Sequence, residues 1–396
     1  MKSLHPPPKL SRRLVLAAAS VLAAPAFAVS RGSAARAAEV EALLAATFST
    51  LSRTHDVPGL AVGLLLEGRP YFQTLGITAR QGGAAVTPDT LFELGSISKC
   101  FTSLLAAQAQ VQGRLHLEQP VGDVVQALRG TPLGRATPLH LATYTAGDLP
   151  LQFPEGVDTT DQAMAWLAAF APDAPPGQMR RYSNPSIGLL GHAVATAMGQ
   201  DFSMLSEQLL ASLGLGSTFI RVPDAQMHRY AWGHSKDQRQ VRVNPGVFDA
   251  QAYGLKSSAR DLLHFLQAVL DPDRLPPPLR KALALTTVPR YQAGPMQQGM
   301  GWEMYAPPWS LDALLEGNSA RTVLEPLPVK PVPLLQQPGS TLLLNKTGST
   351  FGFGAYVALV PQRQSALVML ANCNVPAADR VAAAHRVLQA VGVMGR

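Results

Sequence analysis

Apolar residues at Val40, Leu43, Leu44, Phe48 and Leu51, with Thr47 on the same side, recur at the spacing of one helix face, so residues 39–53 read as an amphipathic helix. Residues 59–66 and 70–76 are short runs around Glu67-Gly68-Arg69, the pattern of two strands joined in a hairpin. An Ala/Leu/Gln-rich stretch over 96–113 predicts a helix. Further Ala/Leu-rich segments, broken by Pro and Gly, predict helices over 161–171, 187–198, 203–213 and 258–270. Prolines mark 276–278 and 326–338 as extended loops. Strands return at 341–345, 353–360 and 366–371, before a last helix over 377–391. Strands early and late with helices between them predict an α/β protein whose sheet is built from both chain ends. Residues 39–113 and 301–396 would form the α/β part and residues 114–300 an inserted, mainly helical domain, with no internal repeat.

Ahead of the first helix the pattern changes. A basic, proline-broken start leads into Leu14 to Val29, apolar apart from Ser20, and then to small residues including Ala26-Phe27-Ala28. This is the form of an export signal, residues 1–28, with cleavage after Ala28 or as late as Ala38. The run is short for a membrane span, so no stable span is expected after processing. Ser11-Arg12-Arg13 resembles a twin-arginine signal, with the general export route as the alternative; either leads to the periplasm.

Composition then removes whole classes. The chain has 396 residues, 47% of them hydrophobic, and 33 each of Gly and Pro without a G-X-Y period, which excludes disorder and collagen. The net charge of +7 suggests nucleic acid until Lys2, Lys9, Arg12, Arg13, Arg31 and Arg36 are set aside; the rest of the chain carries only +1. Nine scattered histidines form no His-Glu-x-x-His, so no metal is expected, and no cofactor-binding glycine loop occurs. Cys100 and Cys373 read as separate, inert thiols.

Three short patterns carry chemistry. Ser96-Ile97-Ser98-Lys99 opens a helical run, and a spacing of three lets the ammonium of Lys99 reach the hydroxyl of Ser96. Tyr182-Ser183-Asn184 comes after a Pro-Pro-Gly loop; a tyrosine beside a lysine exchanges protons nearer neutrality, and an asparagine amide holds a substrate carbonyl. Lys346-Thr347-Gly348 ends an apolar strand, where glycine admits a ligand close to the backbone. Each alone has a bland reading: a capped helix, a turn, an edge-strand lysine.

Their order along one chain is that of the active-site serine enzymes acting on penicillin-like lactams. The chain resembles class C β-lactamases of the cephalosporinase type from about residue 40 to its end, through Leu91-Phe92-Glu93-Leu94-Gly95-Ser96, Leu141-Ala142-Thr143-Tyr144-Thr145-Ala146-Gly147, Leu149-Pro150-Leu151-Gln152, Asn345-Lys346-Thr347-Gly348-Ser349 and Leu370-Ala371-Asn372. The resemblance implies the serine β-lactamase and penicillin-binding transpeptidase fold, an antiparallel sheet flanked by helices, with the active site between the two parts. It implies Ser96 as acylated nucleophile, Lys99 as its activating partner and Tyr182 as proton shuttle. Asn184 and Gln152 would hold the substrate amide, and Lys346, Thr347 and Gly348 would bind its carboxylate from the strand. The amides of Ser96 and Ser349 would form the oxyanion hole, Tyr253 an aromatic wall, and Asn374 and Arg380 the carboxylate end. A monomer acting on a small-molecule β-lactam without cofactor is the implied form. The alternative on the same scaffold is a D-alanyl-D-alanine carboxypeptidase or a lactamase-like esterase. Departures from the family pattern are Ala377 in place of an asparagine, Phe351 where Gly or Asn is usual, and Cys100 in place of threonine.

Overall fold

Among the residues that the computed structural model describes, Met1, 27–333 and 341–394, nine strands form one antiparallel sheet. They are β1 (Gly59–Leu66), β2 (Arg69–Gly76), β3 (Tyr291–Ala293), β4 (Met296–Gln298), β5 (Glu303–Tyr305), β6 (Lys330–Pro331), β7 (Leu343–Ser349), β8 (Gly354–Val360) and β9 (Ser365–Ala371). Their spatial order is β6-β3-β4-β5-β7-β8-β9-β1-β2. The first strand thus pairs with the last, Leu60 opposite Ala371 and Leu65 opposite Ala366. Strands β1, β8 and β9 are buried at every position, because helices Ala259–Leu270 and Ala377–Ala390 pack on them. That two-sided cover is why their sequences run apolar without alternation. The sheet, its helices and the site lie in Val40–Arg396, one compact unit; Met1–Glu39 forms another, whose described part begins helix α1 (Phe27–Thr54).

Helix α2 (Ser98–Val111) is buried on nearly all sides, packed against helices Asn184–Met198 and Pro277–Thr286. A helix without a polar face is an interior helix. Its burial fixes the start of α2 relative to everything around it.

Several boundaries differ from the sequence reading. The sheet takes in β3 and β4, which the boundary at 300 assigns to the helical part. Three-residue strands around Gly294-Pro295 hold too few residues to show alternation. Pro276–Pro278 is not a loop: Pro277 opens a helix, Pro277–Thr286, where its fixed φ and missing N–H suit the first turn. Within 326–338, Leu327–Pro328 pairs with Met179–Arg180 and Lys330–Pro331 edges the large sheet; the remainder of that stretch from 334 lies outside the described residues. Strand β7 runs through Lys346-Thr347-Gly348 rather than ending at Asn345. The export signal and its paired arginines lie almost wholly outside the described residues. No helix among those described is long and apolar enough to cross a membrane.

Candidate active site

Ser96 sits in a single 3-10 turn, Gly95–Ile97, that leads into α2. Side chains three apart eclipse in such a turn, and Lys99 Nζ donates to Ser96 Oγ at 2.9 Å. A second bond, from Lys99 Nζ to the Ala252 carbonyl at 2.7 Å, holds the ammonium in place. Gly95 adopts φ +52° and a Cβ there would meet the Ser349 amide at 2.5 Å; a Cβ on Gly348 would lie 1.9 Å from the Leu94 carbonyl. Strand β7 therefore lies directly on the nucleophile turn, and glycine at both places is the condition for that approach.

Tyr182 is anchored by the helix that starts two residues further along the chain. Ser183 caps helix Asn184–Met198, its Oγ accepting from Ser186 N at 3.1 Å, and Pro185 occupies the first turn. The Tyr182 ring is faced by Lys99 Nζ at 5.1 Å and Lys346 Nζ at 5.0 Å. Burial alone would lift its hydroxyl above the usual tyrosine value. The Lys346 and Lys99 charges and a hydrogen bond with Ser96 outweigh that, and the group ends below it. Burial likewise pushes the Lys99 ammonium below the usual lysine range, with Lys346 adding to the effect. Lys346 goes the other way: burial would lower it, but Glu303, whose Oε1 accepts from Nζ at 3.0 Å, holds it above. The result is a serine hydroxyl bonded to a lysine that burial holds below the usual range, a second lysine that Glu303 holds above it, and a phenol whose ring faces both.

These side chains open on a cleft of about 710 Å³, walled by Ser96, Gln152, Tyr182, Asn184, Lys346, Thr347, Gly348, Ser349 and Arg380, with Ala377 also on it. A cavity of about 800 Å³ near Asp249 and Arg242 is larger, but among the described residues none of its hydroxyls is hydrogen-bonded to a lysine or histidine as Ser96 is to Lys99; chemistry, not size, marks the site. Asn184 Oδ1 is buried without a partner among the described residues, an acceptor left for a ligand. Arg380 is buried and spoken for: Nη1 donates to the Gly348 and Ala355 carbonyls and Nη2 to Ser349 Oγ at 2.9 Å. Tyr253 and Asn374 do not wall this cleft; Tyr253 comes directly after Ala252, and its hydroxyl faces Gly246. Phe351 is 67% exposed and also off the wall.

A family model described as Beta-lactamase matches residues 44–392. A β-lactamase of Pseudomonas fluorescens is 44% identical over 356 residues, covering 90% of this chain and 99% of that protein. Among solved structures, a class C β-lactamase from Rhodobacter sphaeroides matches with TM-score 0.85 and 43% identity, covering 88% of this chain and 99% of its own. The chain belongs to the class C serine β-lactamases. This β-lactamase is also similar to a structure named β-lactamase/D-alanine carboxypeptidase from Pseudomonas syringae, with TM-score 0.86 and 40% identity over 89% of this chain and 99% of the other.

Sequence reasoning missed three parts of the β-lactamase site. Glu303, on the three-residue strand β5, gave no signal, since its link to Lys346 exists only through sheet register. The Ala252 carbonyl is backbone and has no sequence signature. Arg180 was within reach: it stands two residues before Tyr182, the spacing of one side of extended chain. Its guanidinium lies 5.9 Å from the Tyr182 ring and 3.8 Å from Glu303 Oε1.

Proposed function

We propose that this β-lactamase opens the lactam of cephalosporins and penicillins through an ester on Ser96 and clears that ester with water. The observation that carries the reading is Lys99 Nζ at 2.9 Å from Ser96 Oγ, with Tyr182 between two ammonium groups. The Lys99 ammonium, held by Ser96 Oγ and the Ala252 carbonyl, keeps its positive charge beside Tyr182 as Ser96 attacks. Tyr182 accepts the Ser96 proton and passes it to the lactam nitrogen, then serves as base for the incoming water. The Ser96 and Ser349 amides receive the oxyanion. Gln152 and the free Oδ1 of Asn184 hold the side-chain amide. Lys346, Thr347, Gly348 and Ser349 receive the carboxylate, with Arg380 fixing Ser349 rather than meeting the substrate itself. Tyr253 and Asn374 contribute, in this reading, at the outer margins of the pocket. The protein works as a monomer, without metal or cofactor, in the periplasm after loss of residues 1–28 or a few more, and so protects the cell that exports it.

The name of the Pseudomonas syringae relative favours one second reading, a D-alanine carboxypeptidase; an esterase would use the same serine. Acylation does not separate them, but the lifetime of the ester does. A pulse of a chromogenic cephalosporin followed by intact-mass measurement reads it directly. A lactamase turns over at about 10 s⁻¹ or faster and returns to its unmodified mass. A carboxypeptidase keeps the adduct for minutes, and Ser96→Ala forms none. N-terminal sequencing of exported protein, expected to begin between Val29 and Glu39, tests the processing.

A further inference from the structure

Gln152 stands on the cleft with no side-chain hydrogen bond to fix it among the described residues. Its place comes from the backbone that carries it, and that backbone is unusual. Tyr144 has φ +61°, Gly147 +107° and Asp148 +71°, so three of the five residues from Tyr144 to Asp148 are left-handed. Glycine takes this conformation freely, aspartate with some strain and tyrosine with more. The segment keeps its path only where its surroundings impose it.

One neighbour acts at both non-glycine positions. Arg181 N donates to the Tyr144 carbonyl at 3.1 Å, and its guanidinium Nη1 donates to Asp148 Oδ2 at 3.3 Å and to the Asp148 carbonyl at 3.5 Å. Three residues further on, Asn184 N donates to the Leu151 carbonyl at 3.0 Å. Between these fastenings Leu149 is buried in the core. The chain from Arg181 to Asn184 is thus stapled twice to the chain from Tyr144 to Leu151. Gln152 and Asn184, the two amides assigned to the substrate's side chain, both stand at the second staple. Asp148 is poorly suited to a stabilising role: its side chain is 11% exposed, its Oδ1 is buried without a partner among the described residues, and its φ favours glycine. A buried ion pair of that kind is weak evidence for stability. What it supplies is geometry.

We propose that Asp148 and Arg181 form a clamp that positions Gln152 relative to Asn184, and so sets how tightly the acylamino side chain of a substrate is held. The proposal rests on Gln152 holding that amide. Neither clamp residue lines the cleft, so both are positioning residues. Asp148→Gly removes the carboxylate and suits the left-handed backbone, and it should melt within about two degrees of wild type. The measurement compares a cephalosporin carrying an acylamino side chain with its 7-amino counterpart, which lacks the acyl group. Asp148→Gly should lower kcat/KM for the first by about fivefold, within what one neutral hydrogen bond contributes, chiefly through KM, and leave the second within about twofold. Arg181→Gln should do the same. The double variant should be no worse than either alone, because a pair already broken has nothing more to lose. Equal losses on both substrates, the mark of a merely structural pair, overturn the proposal. So do unchanged kinetics on both, or effects that multiply in the double variant. Gln152→Ala measured alongside keeps the two readings apart. If it loses the preference for the acylated substrate and Asp148→Gly keeps it, only the clamp falls. If Gln152→Ala prefers that substrate as wild type does, the role of Gln152 falls and the clamp with it.

Discussion

Lys346 sits at the centre of the site's electrostatics. Of the charges that bring the Tyr182 hydroxyl below its ordinary value, Lys346 acts most strongly and Lys99 next. Replacing Lys346 with Met should lift Tyr182, so the acid limb of the kcat/KM profile should move to higher pH; a limb that stays in place contradicts the assignment of Tyr182 as base. Glu303 supports Lys346 in turn. A lysine whose folded value lies above its unfolded one contributes stability that is complete below the unfolded value and lost as pH rises through the folded one. For Lys346, raised from 10.5, the contribution is intact at neutral pH and fades only in stronger alkali. Removing one partner of a buried pair costs roughly 3–5 kcal/mol. Glu303→Gln should therefore melt below wild type at pH 7, with the gap narrowing above the ordinary lysine range. Thermal unfolding across that pH range checks it.

Between elements, the decisive contact is that of β7 with the turn before α2. With a Gly348 Cβ at 1.9 Å from a backbone carbonyl, no side-chain rotation can relieve the clash. Gly348→Ala must move the strand or the nucleophile turn, and overpacking of this kind costs about 1–3 kcal/mol. Acylation, which needs the Ser96 and Ser349 amides converging on one oxygen, should fall more than a hundredfold, the size of a lost oxyanion donor. Stopped-flow acylation and a melting curve measure the two effects separately; a variant that acylates at the wild-type rate would show that the strand can yield. The patterns Ser-x-x-Lys, Tyr-x-Asn and Lys-Thr-Gly were readable because each is local to one element. Their convergence was not, because it depends on how three elements pack. Glu303 shows the limit most plainly: it enters the site only by pairing of β5 with β7, where it stands opposite Asn345.

At the scale of the whole molecule, the sheet closes between strands from opposite ends of the chain, and no covalent link assists it. Both cysteines are free. Cys100 is 1% exposed and donates to the Gly301 carbonyl at 3.5 Å, and burial pushes its thiol far above the usual range. A buried, un-ionised thiol is inert. The melting temperature should be the same with and without reductant, and a thiol reagent should label Cys100 only after unfolding. A reductant-sensitive melt would point to a bridge.

The sequence by itself determined the strands at both ends, the helix α2 and, as candidates, the residues Ser96, Lys99, Tyr182, Asn184 and Lys346, since hydrophobic period and short motifs are properties of neighbouring residues. It also indicated that no large basic surface remains once the first 38 residues are set aside. Only the tertiary structure decided that Arg380 is occupied by two carbonyls and Ser349, that the Tyr253 hydroxyl faces Gly246, and that Glu303, Arg180 and Tyr144 stand around Tyr182. Those are contacts between residues far apart in the chain, set by sheet register and packing, and no local pattern encodes which distant partner a buried charge will meet.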